Sequence, residues 1–134
     1  MSRLCLDTSA YSHFKRGDDQ VTRLIDRAEW LGVPAIVVGE LWTGFLTGRR
    51  REQNEAELQE FLASPVVEEL AVDFEAAGIY AEIVVDLRSA GTPVPTNDVW
   101  IAAVAARTGA TVLTYDAHFE LISRVGRLVL SEPH

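Results

Sequence analysis

The apolar residues of this chain fall into short continuous runs and longer runs with helical spacing. The short runs carry no polar alternation, which is typical of strands in a parallel sheet that is covered on both faces. They predict strands at residues 4–6, 35–38, 66–72, 111–114 and 128–130.

The longer runs repeat apolar residues every three or four positions and predict helices between these strands. The predicted helices cover residues 21–31, 40–45 and 55–63, the segment between Asp73 and Gly91, and the apolar run 99–106 that ends before Gly109. Gly32 is expected to end the first of them. This alternation predicts an α/β fold, a three-layer α/β/α sandwich with a central parallel sheet of about five strands, and a single domain over residues 1–134.

The amino-acid composition excludes only a few classes of protein. The chain has 134 residues, of which 48% are hydrophobic and 24% charged, as expected for a globular protein. No apolar stretch approaches the roughly 18 residues of a membrane span. We find no secretory signal, and Cys5 has no second cysteine to pair with. We therefore expect a cytoplasmic protein without membrane association, in which Cys5 is a core thiol.

The formal net charge is −8, which argues against a protein that coats nucleic acid. An acidic balance does not exclude an enzyme that binds phosphate through metal ions, because a metal site itself needs carboxylates.

Four acidic residues occupy positions at which the sites of α/β proteins form. Asp7 follows the first predicted strand, Glu40 and Asp116 each come two residues after a predicted strand, and Asp98 opens the apolar helix. Ligand sites of open parallel sheets lie beyond the carboxyl ends of the strands, so these acids are expected to share one pocket if the first strand is central. Singly, each is also compatible with a helix cap or a solvated charge. Asp73 is excluded, because it fits a helix cap beside an edge strand.

Clustered carboxylates repel one another unless a divalent cation lies between them. Hard oxygen ligands suit Mg²⁺ or Mn²⁺. Such an ion lowers the pKa of a bound water and offsets charge on a phosphodiester, so the pocket predicts metal-assisted phosphodiester hydrolysis. His118 is compatible with the rim of the site or with an ordinary surface position, and the surface position is favoured.

Hydroxyl and amide side chains accompany the acids. Thr8, Ser9, Asn97 and Thr114 are expected to orient carboxylates or hold metal-bound water, although Ser9 and Asn97 are also common helix caps. The run Arg49–Arg51 has two open interpretations. It either interacts favourably with a helix dipole or binds the phosphate groups of RNA.

Three segments resemble the PIN-domain ribonucleases, in particular the VapC toxins of toxin–antitoxin pairs. They are LDTSAYSHFKRG, VVGELWTGFLTGRRREQN and VPTNDVWIAAVAARTGATVLTYDAHFELI. Together they cover the four motifs of that family in order, along nearly the whole chain.

The resemblance implies catalytic roles for Asp7, Glu40, Asp98 and Asp116. Asp7, Asp98 and Asp116 would bind the metal, with Asp116 acting directly or through water, and Glu40 would position water or a second ion. The resemblance further implies Mg²⁺-dependent endonucleolytic cleavage of RNA, with Mn²⁺ as a substitute. It also implies a homodimer that a cognate VapB-type antitoxin inhibits within a larger hetero-oligomer.

Several alternatives stay open. The chain could be a PIN-domain nuclease of RNA processing without a toxin role, or an inactive PIN-like scaffold that binds proteins. A phosphoacceptor receiver domain would need a lysine near the last strand, and Lys15 is the only lysine. Trp42 and Phe45 are compatible with an apolar groove for the antitoxin or with core packing.

Overall fold

Five parallel strands form the centre of the molecule. The computed structural model describes residues 3–132, and its strands lie in the order β3-β2-β1-β4-β5, with every pair parallel. The strands are β1 (Arg3–Leu6), β2 (Trp30–Pro34), β3 (Val67–Leu70), β4 (Thr111–Thr114) and β5 (Gly126–Val129). The first strand is therefore central, which is the condition under which the four acids were expected to meet.

Helices connect the strands and cover the sheet. They are α1 (Thr8–Lys15), α2 (Asp19–Arg27), α3 (Ala35–Leu46), α4 (Arg51–Leu62), α5 (Phe74–Ala90) and α6 (Thr96–Thr108), and a 3₁₀ helix spans Ala117–Leu121. This arrangement confirms the predicted α/β/α sandwich with a five-stranded parallel sheet.

The core lies along the middle strands and helix α6. Strand β1 pairs on both sides, and Cys5 in it is fully buried between Gly32 of β2 and Val112 of β4. Burial raises the pKa of the Cys5 thiol, so it packs as an unreactive core residue. In α6 the run Ile101–Ala105 is buried throughout, as its continuous apolar character predicted.

The prediction for the second strand is wrong. Residues 35–38 form the first turn of α3, and the strand is Trp30–Pro34 instead. Gly32 lies inside this strand and does not end a helix, since α2 already ends at Arg27. The apolar run 30–38 covers the end of a strand and the start of a helix, and a short apolar run does not distinguish the two.

Other element boundaries shift by a few residues. Helix α4 begins at Arg51 rather than at residue 55, and β3 and β5 occupy 67–70 and 126–129. Gly91 and Gly109 follow α5 and α6 in the left-handed conformation, each with φ of 68°, so both predicted helix ends are confirmed. Asp73 caps α5 beside the edge strand β3, as expected.

Among residues 3–132, no helix combines the length and the apolar character needed to cross a membrane.

Candidate active site

Asp7 is the most deeply placed acid at the carboxyl edge of the sheet. It follows β1, is only 4% exposed, and caps α1 by accepting a hydrogen bond of 2.9 Å from the Ala10 N–H. Ser9 Oγ donates to its Oδ1 at 2.8 Å, and Thr114 Oγ1 donates to its Oδ2 at 2.5 Å. Asp7 is thus a helix cap whose carboxylate is also fixed by donors from two elements.

The same two hydroxyls hold the end of β4 against α1. The Tyr115 N–H donates to Ser9 Oγ at 2.9 Å, and the Asp116 N–H donates to Thr114 Oγ1 at 2.8 Å. Ser9 and Thr114, both predicted to orient carboxylates, therefore connect Asp7 to the backbone that presents Asp116.

Glu40 reaches the site by a different route from the one that the sequence suggested. It lies inside α3, six residues beyond the end of β2, and does not follow a strand directly. Thr8 Oγ1 donates to Glu40 Oε1 at 2.5 Å, and Asn97 Nδ2 donates to Oε2 at 3.2 Å. Each carboxylate oxygen of Glu40 consequently has a donor from another helix.

The role of Asn97 also differs from a helix cap. Helix α6 begins at Thr96, its N-cap residue is Pro95, and no side chain caps it. Asn97 and Asp98 therefore lie in the first turn, where Asn97 binds Glu40 and Asp98 lies within 3.6 Å of the His118 ring.

Asp98, Asp116 and His118 form the most compact group of candidate ligands. Asp116 follows β4 and accepts a hydrogen bond of 2.8 Å from the His118 N–H, which begins the 3₁₀ helix. His118 Nδ1 lies 3.0 Å from Asp116 Oδ1 and 3.6 Å from Asp98 Oδ2. One ligand atom from each of the three residues lies within 4.8 Å of the others.

His118 was expected to be an ordinary surface residue, but its ring faces the acids. Its side chain is 49% exposed, so it stands at the rim of the site. Its position two residues after a candidate acid was the available signal, because a side-chain cap at Asp116 turns the chain back towards that carboxylate.

The electrostatics are those of a crowded acidic pocket. The pKa of Asp98 is raised from its ordinary value of 3.8 to about 6, first by burial and then by the negative charges of Asp116, Asp7 and Glu40, while His118 opposes the rise. Burial also raises the pKa of Asp7, despite its hydrogen bonds. The charges of the other three acids all act on Asp98. Hydrogen bonds from Thr114, Thr8 and Asn97 also connect the elements that carry these acids, so the structure brings the four together.

The donor set fits a divalent cation. Carboxylate oxygens dominate it, and the unfavourable charge on Asp98 is the kind that a bound cation relieves. Asp7 is not part of the compact group of three ligand atoms, and both its oxygens accept hydrogen bonds. Its direct bond to the metal stays a prediction.

The remaining predicted positions lie on α3 and at the start of α4. Trp42 is 44% exposed, whereas Phe45 is partly buried and packs against the core. Arg50 and Arg51 lie at the amino end of α4. A helix dipole favours cations at the opposite end, so that interpretation does not hold for these two arginines.

The comparisons with known proteins agree with this fold. The family model of the PIN domain matches residues 4–125. Ribonuclease VapC4 of Mycobacterium tuberculosis is 36% identical over 88 residues, which are 66% of this chain and 67% of that protein. Ribonuclease VapC5 of the same organism is 32% identical over 115 residues, which are 85% of this chain and 83% of that protein.

A solved structure extends the similarity to three dimensions. It is a DNA-bound VapBC from Salmonella typhimurium, with a TM-score of 0.81, 26% identity, and coverage of 96% of this chain and 98% of that one. The chain therefore belongs to the PIN-domain family, and its similarity lies with the VapC ribonucleases within that family.

Proposed function

We propose that this protein is a divalent-metal-dependent endoribonuclease that cleaves RNA phosphodiester bonds. The observation that carries the proposal is the convergence of Asp7, Glu40, Asp98 and Asp116 at the carboxyl edge of the sheet. The raised pKa of Asp98 supports it, because three other acids contribute to that rise. The names of the VapC ribonucleases that resemble the chain support the choice of RNA as substrate.

Asp98 and Asp116 would hold the cation, and Asp7 would bind it or supply negative charge behind it. A bound divalent ion supplies a water of lowered pKa and offsets the charge that develops on the phosphodiester. We propose Mg²⁺ as the physiological ion and Mn²⁺ as a substitute, because carboxylate oxygens are hard ligands.

Glu40 would position the attacking water. Thr8 and Asn97 donate one hydrogen bond to each of its oxygens, which fixes the plane of the carboxylate. Ser9 and Thr114 do the same for Asp7. These donors hold the acids in one arrangement before substrate arrives, which lowers the cost of reorganisation during the reaction.

We further propose that the nuclease is the toxin of a type II toxin–antitoxin pair, acts as a homodimer, and is inhibited by a cognate VapB-type antitoxin in a larger hetero-oligomer. The similarity to a chain of the DNA-bound VapBC structure supports this role. Trp42 and Phe45 on α3 offer a partly exposed aromatic surface for such a partner.

The decisive experiment for the chemistry compares Asp98→Asn with Asp73→Asn. Both aspartates lie at the start of a helix, but Asp73 caps α5 outside the acidic pocket and asparagine preserves a cap. We expect Asp98→Asn to slow Mg²⁺-dependent RNA cleavage by more than about 100-fold, since loss of residues that only support a metal ligand costs 10–100-fold. Asp73→Asn should cleave like wild type.

Chelation by EDTA should abolish wild-type cleavage, and added Mg²⁺ should restore it. Unchanged cleavage by Asp98→Asn, or cleavage that survives EDTA, would contradict the metal mechanism.

The toxin role has a separate test. Expression of the wild-type chain should arrest growth, and both Asp98→Asn and co-expression of the protein encoded by the neighbouring gene should relieve the arrest. Robust RNA cleavage without growth arrest would instead indicate a nuclease of RNA processing.

A further inference from the structure

His118 occupies an unusual place beside the acids. Asp116 accepts the His118 N–H at 2.8 Å, and this local turn folds the imidazole back over the same carboxylate. Nδ1 then lies 3.0 Å from Asp116 Oδ1 and 3.6 Å from Asp98 Oδ2. The ring therefore presents a nitrogen to two carboxylates from two different elements.

These separations are short enough for one ion to contact all three residues. Ligand atoms about 2.1 Å from a shared octahedral ion lie about 3.0 Å apart at adjacent positions and about 4.2 Å apart at opposite ones. The two measured separations of 3.0 Å and 3.6 Å lie at and between these values, and all three residues offer an atom within 4.8 Å of the others.

We propose that His118 is a ligand of the catalytic metal through Nδ1, together with Asp98 and Asp116. The inference rests on the proposed metal-dependent function and deepens it. An imidazole nitrogen in an otherwise oxygen-rich site favours transition metals over Mg²⁺, because affinity for nitrogen ligands rises along the first-row series while Mg²⁺ prefers oxygen. The proposal therefore predicts a lower Kd for Mn²⁺ than for Mg²⁺, whichever ion is bound in the cell.

A different role for His118 predicts the opposite result. If the imidazole only stabilises the acids in the absence of metal, a cation must displace it, and removal of the ring strengthens metal binding. If the imidazole is a ligand, removal of the ring weakens binding. The sign of the change in metal affinity therefore separates the two roles.

The experiment uses the full chain at about pH 8. Titration calorimetry measures the Kd of Mn²⁺ and Mg²⁺ for wild type, His118→Ala and His118→Gln. We expect His118→Ala to weaken Mn²⁺ binding about tenfold and Mg²⁺ binding less than about threefold. His118→Gln keeps a hydrogen-bond donor at the rim but lacks the imidazole, so it should not restore Mn²⁺ affinity.

A spectroscopic readout reports the bond directly. Electron spin-echo envelope modulation of bound Mn²⁺ should show coupling to a ligated nitrogen in wild type and lose it in His118→Ala, while any signal from the other histidines would survive. Glu120→Gln on the same 3₁₀ helix is the control, because Glu120 is exposed and lies outside the compact ligand group. It should leave both the affinity and the coupling unchanged.

Two failures are distinguishable. Equal or tighter Mn²⁺ binding by His118→Ala, or nitrogen coupling that persists in it, overturns the role of His118 while leaving the nuclease proposal intact. Absence of binding of either ion to the wild-type chain would overturn the metal-dependent function itself.

Discussion

At the scale of single residues, the acids of the pocket are held in two different ways. Asp7 is buried and receives three hydrogen bonds that compensate for the loss of water. Within residues 3–132 the Asp98 carboxylate accepts no hydrogen bond, and its pKa is raised to about 6 by burial and by its acidic neighbours, with only partial opposition from His118. The pocket without metal is therefore strained electrostatically at Asp98, which has a measurable consequence for stability.

Asp98→Asn should stabilise the metal-free protein at neutral pH. A rise in the pKa of Asp98 from 3.8 to about 6 is equivalent to about 3 kcal/mol. Because side chains relax in part, we expect the free energy of unfolding to increase by about 1–2 kcal/mol at about pH 7, measured by urea denaturation in EDTA.

The pH dependence follows from the sign of the shift. Since the folded protein holds the Asp98 proton more tightly than the unfolded chain, wild-type stability falls as pH rises from about 4 to about 6. The stability advantage of Asp98→Asn over wild type should therefore shrink towards pH 4.

Saturating Mg²⁺ should make wild type the more stable of the two proteins at neutral pH, because the ion stabilises wild type alone. If metal-free Asp98→Asn had a lower free energy of unfolding than metal-free wild type at neutral pH, this explanation would be contradicted.

Thr8 provides a second prediction at this scale. Thr8→Val keeps the shape of the side chain but removes the hydroxyl that donates to Glu40 Oε1 at 2.5 Å. We expect RNA cleavage at saturating Mg²⁺ to fall about 10–100-fold in single-turnover assays, as for other residues that orient a group of a metal site. The free energy of unfolding should change by less than about 1 kcal/mol, since Thr8 is only partly buried.

Thr8→Ser is the matched control, because serine retains a hydroxyl at the same position. It should cleave within a few-fold of wild type. Equal loss in Thr8→Ser and Thr8→Val would show that the methyl group, and not the hydrogen bond to Glu40, matters.

The sequence was informative about acids that follow strands and less so about their neighbours. Asp7 directly follows β1 and Asp116 comes two residues after β4, so the rule for parallel sheets placed both at the carboxyl edge of the sheet. The bonds from Thr8 and Asn97 to Glu40 required three helices to approach one another, which local spacing does not encode. Asn97 was expected to orient a carboxylate or to cap a helix, without Glu40 as its named partner, and His118 was expected at the surface.

At the scale of elements, the boundary between β2 and α3 determines where Glu40 lies. Pro34 ends the strand with ψ of 145° and precedes the first turn of α3, so the chain changes from strand to helix without a loop. The sequence predicted strands in β1 and β4 well because each is a short apolar run next to polar residues. It failed at β2, where the apolar residues continue into the helix.

Gly32 is a structural requirement of β2. A Cβ at this position would lie 2.5 Å from Trp30 Cη2 and 2.6 Å from Leu70 Cδ1. The Trp30 ring cannot move away freely, because its Nε1 donates to Glu68 Oε1 at 3.0 Å and the Arg3 guanidinium lies 4.2 Å from the ring centroid.

We therefore expect Gly32→Ala to destabilise the protein by about 1–3 kcal/mol in urea denaturation, with a change in tryptophan fluorescence. Gly78→Ala is the control, since Gly78 is an exposed position within α5 whose added Cβ would meet nothing within 4 Å. It should stabilise by up to about 1 kcal/mol. If Gly32→Ala had the same urea denaturation midpoint as wild type, the proposed crowding at Gly32 would be refuted.

At the scale of the whole molecule, the charge balance opposes binding of RNA. A chain with 20 acidic and 12 basic residues repels a polyanion, so its affinity must come from local features. The proposed metal ion is one such feature. The other candidate is Arg49–Arg51, the only run of three basic residues in the sequence, whose side chains are exposed between α3 and α4.

The local hydrogen bonds and ion pairs of these arginines do not explain the run as a contribution to the stability of the fold. Arg50 binds Gln53 Oε1, with the shorter hydrogen bond at 2.8 Å, and Arg51 pairs with Glu55 at 3.3 Å on the exposed surface. Exposed pairs of this kind contribute less than about 1 kcal/mol. Two of the three lie at the wrong end of α4 for a favourable dipole interaction. We propose that the run binds phosphate groups, which is the second of the two interpretations that the sequence left open.

This role predicts the salt dependence of RNA binding. The measurement uses the Asp98→Asn background, in which the RNA is not cleaved. Each phosphate contact with a single strand contributes about 0.7 to the slope of log Kd against log salt concentration. Replacement of all three arginines by glutamine should therefore reduce this slope by about 2. Substitution of Arg23, Arg27 and Arg88 by glutamine changes the net charge equally, but these cations are dispersed over α2 and α5. Equal slopes for the two triple variants would show that only total charge matters, whereas a loss confined to Arg49–Arg51 would identify a local contact that offsets the repulsion of the acidic molecule.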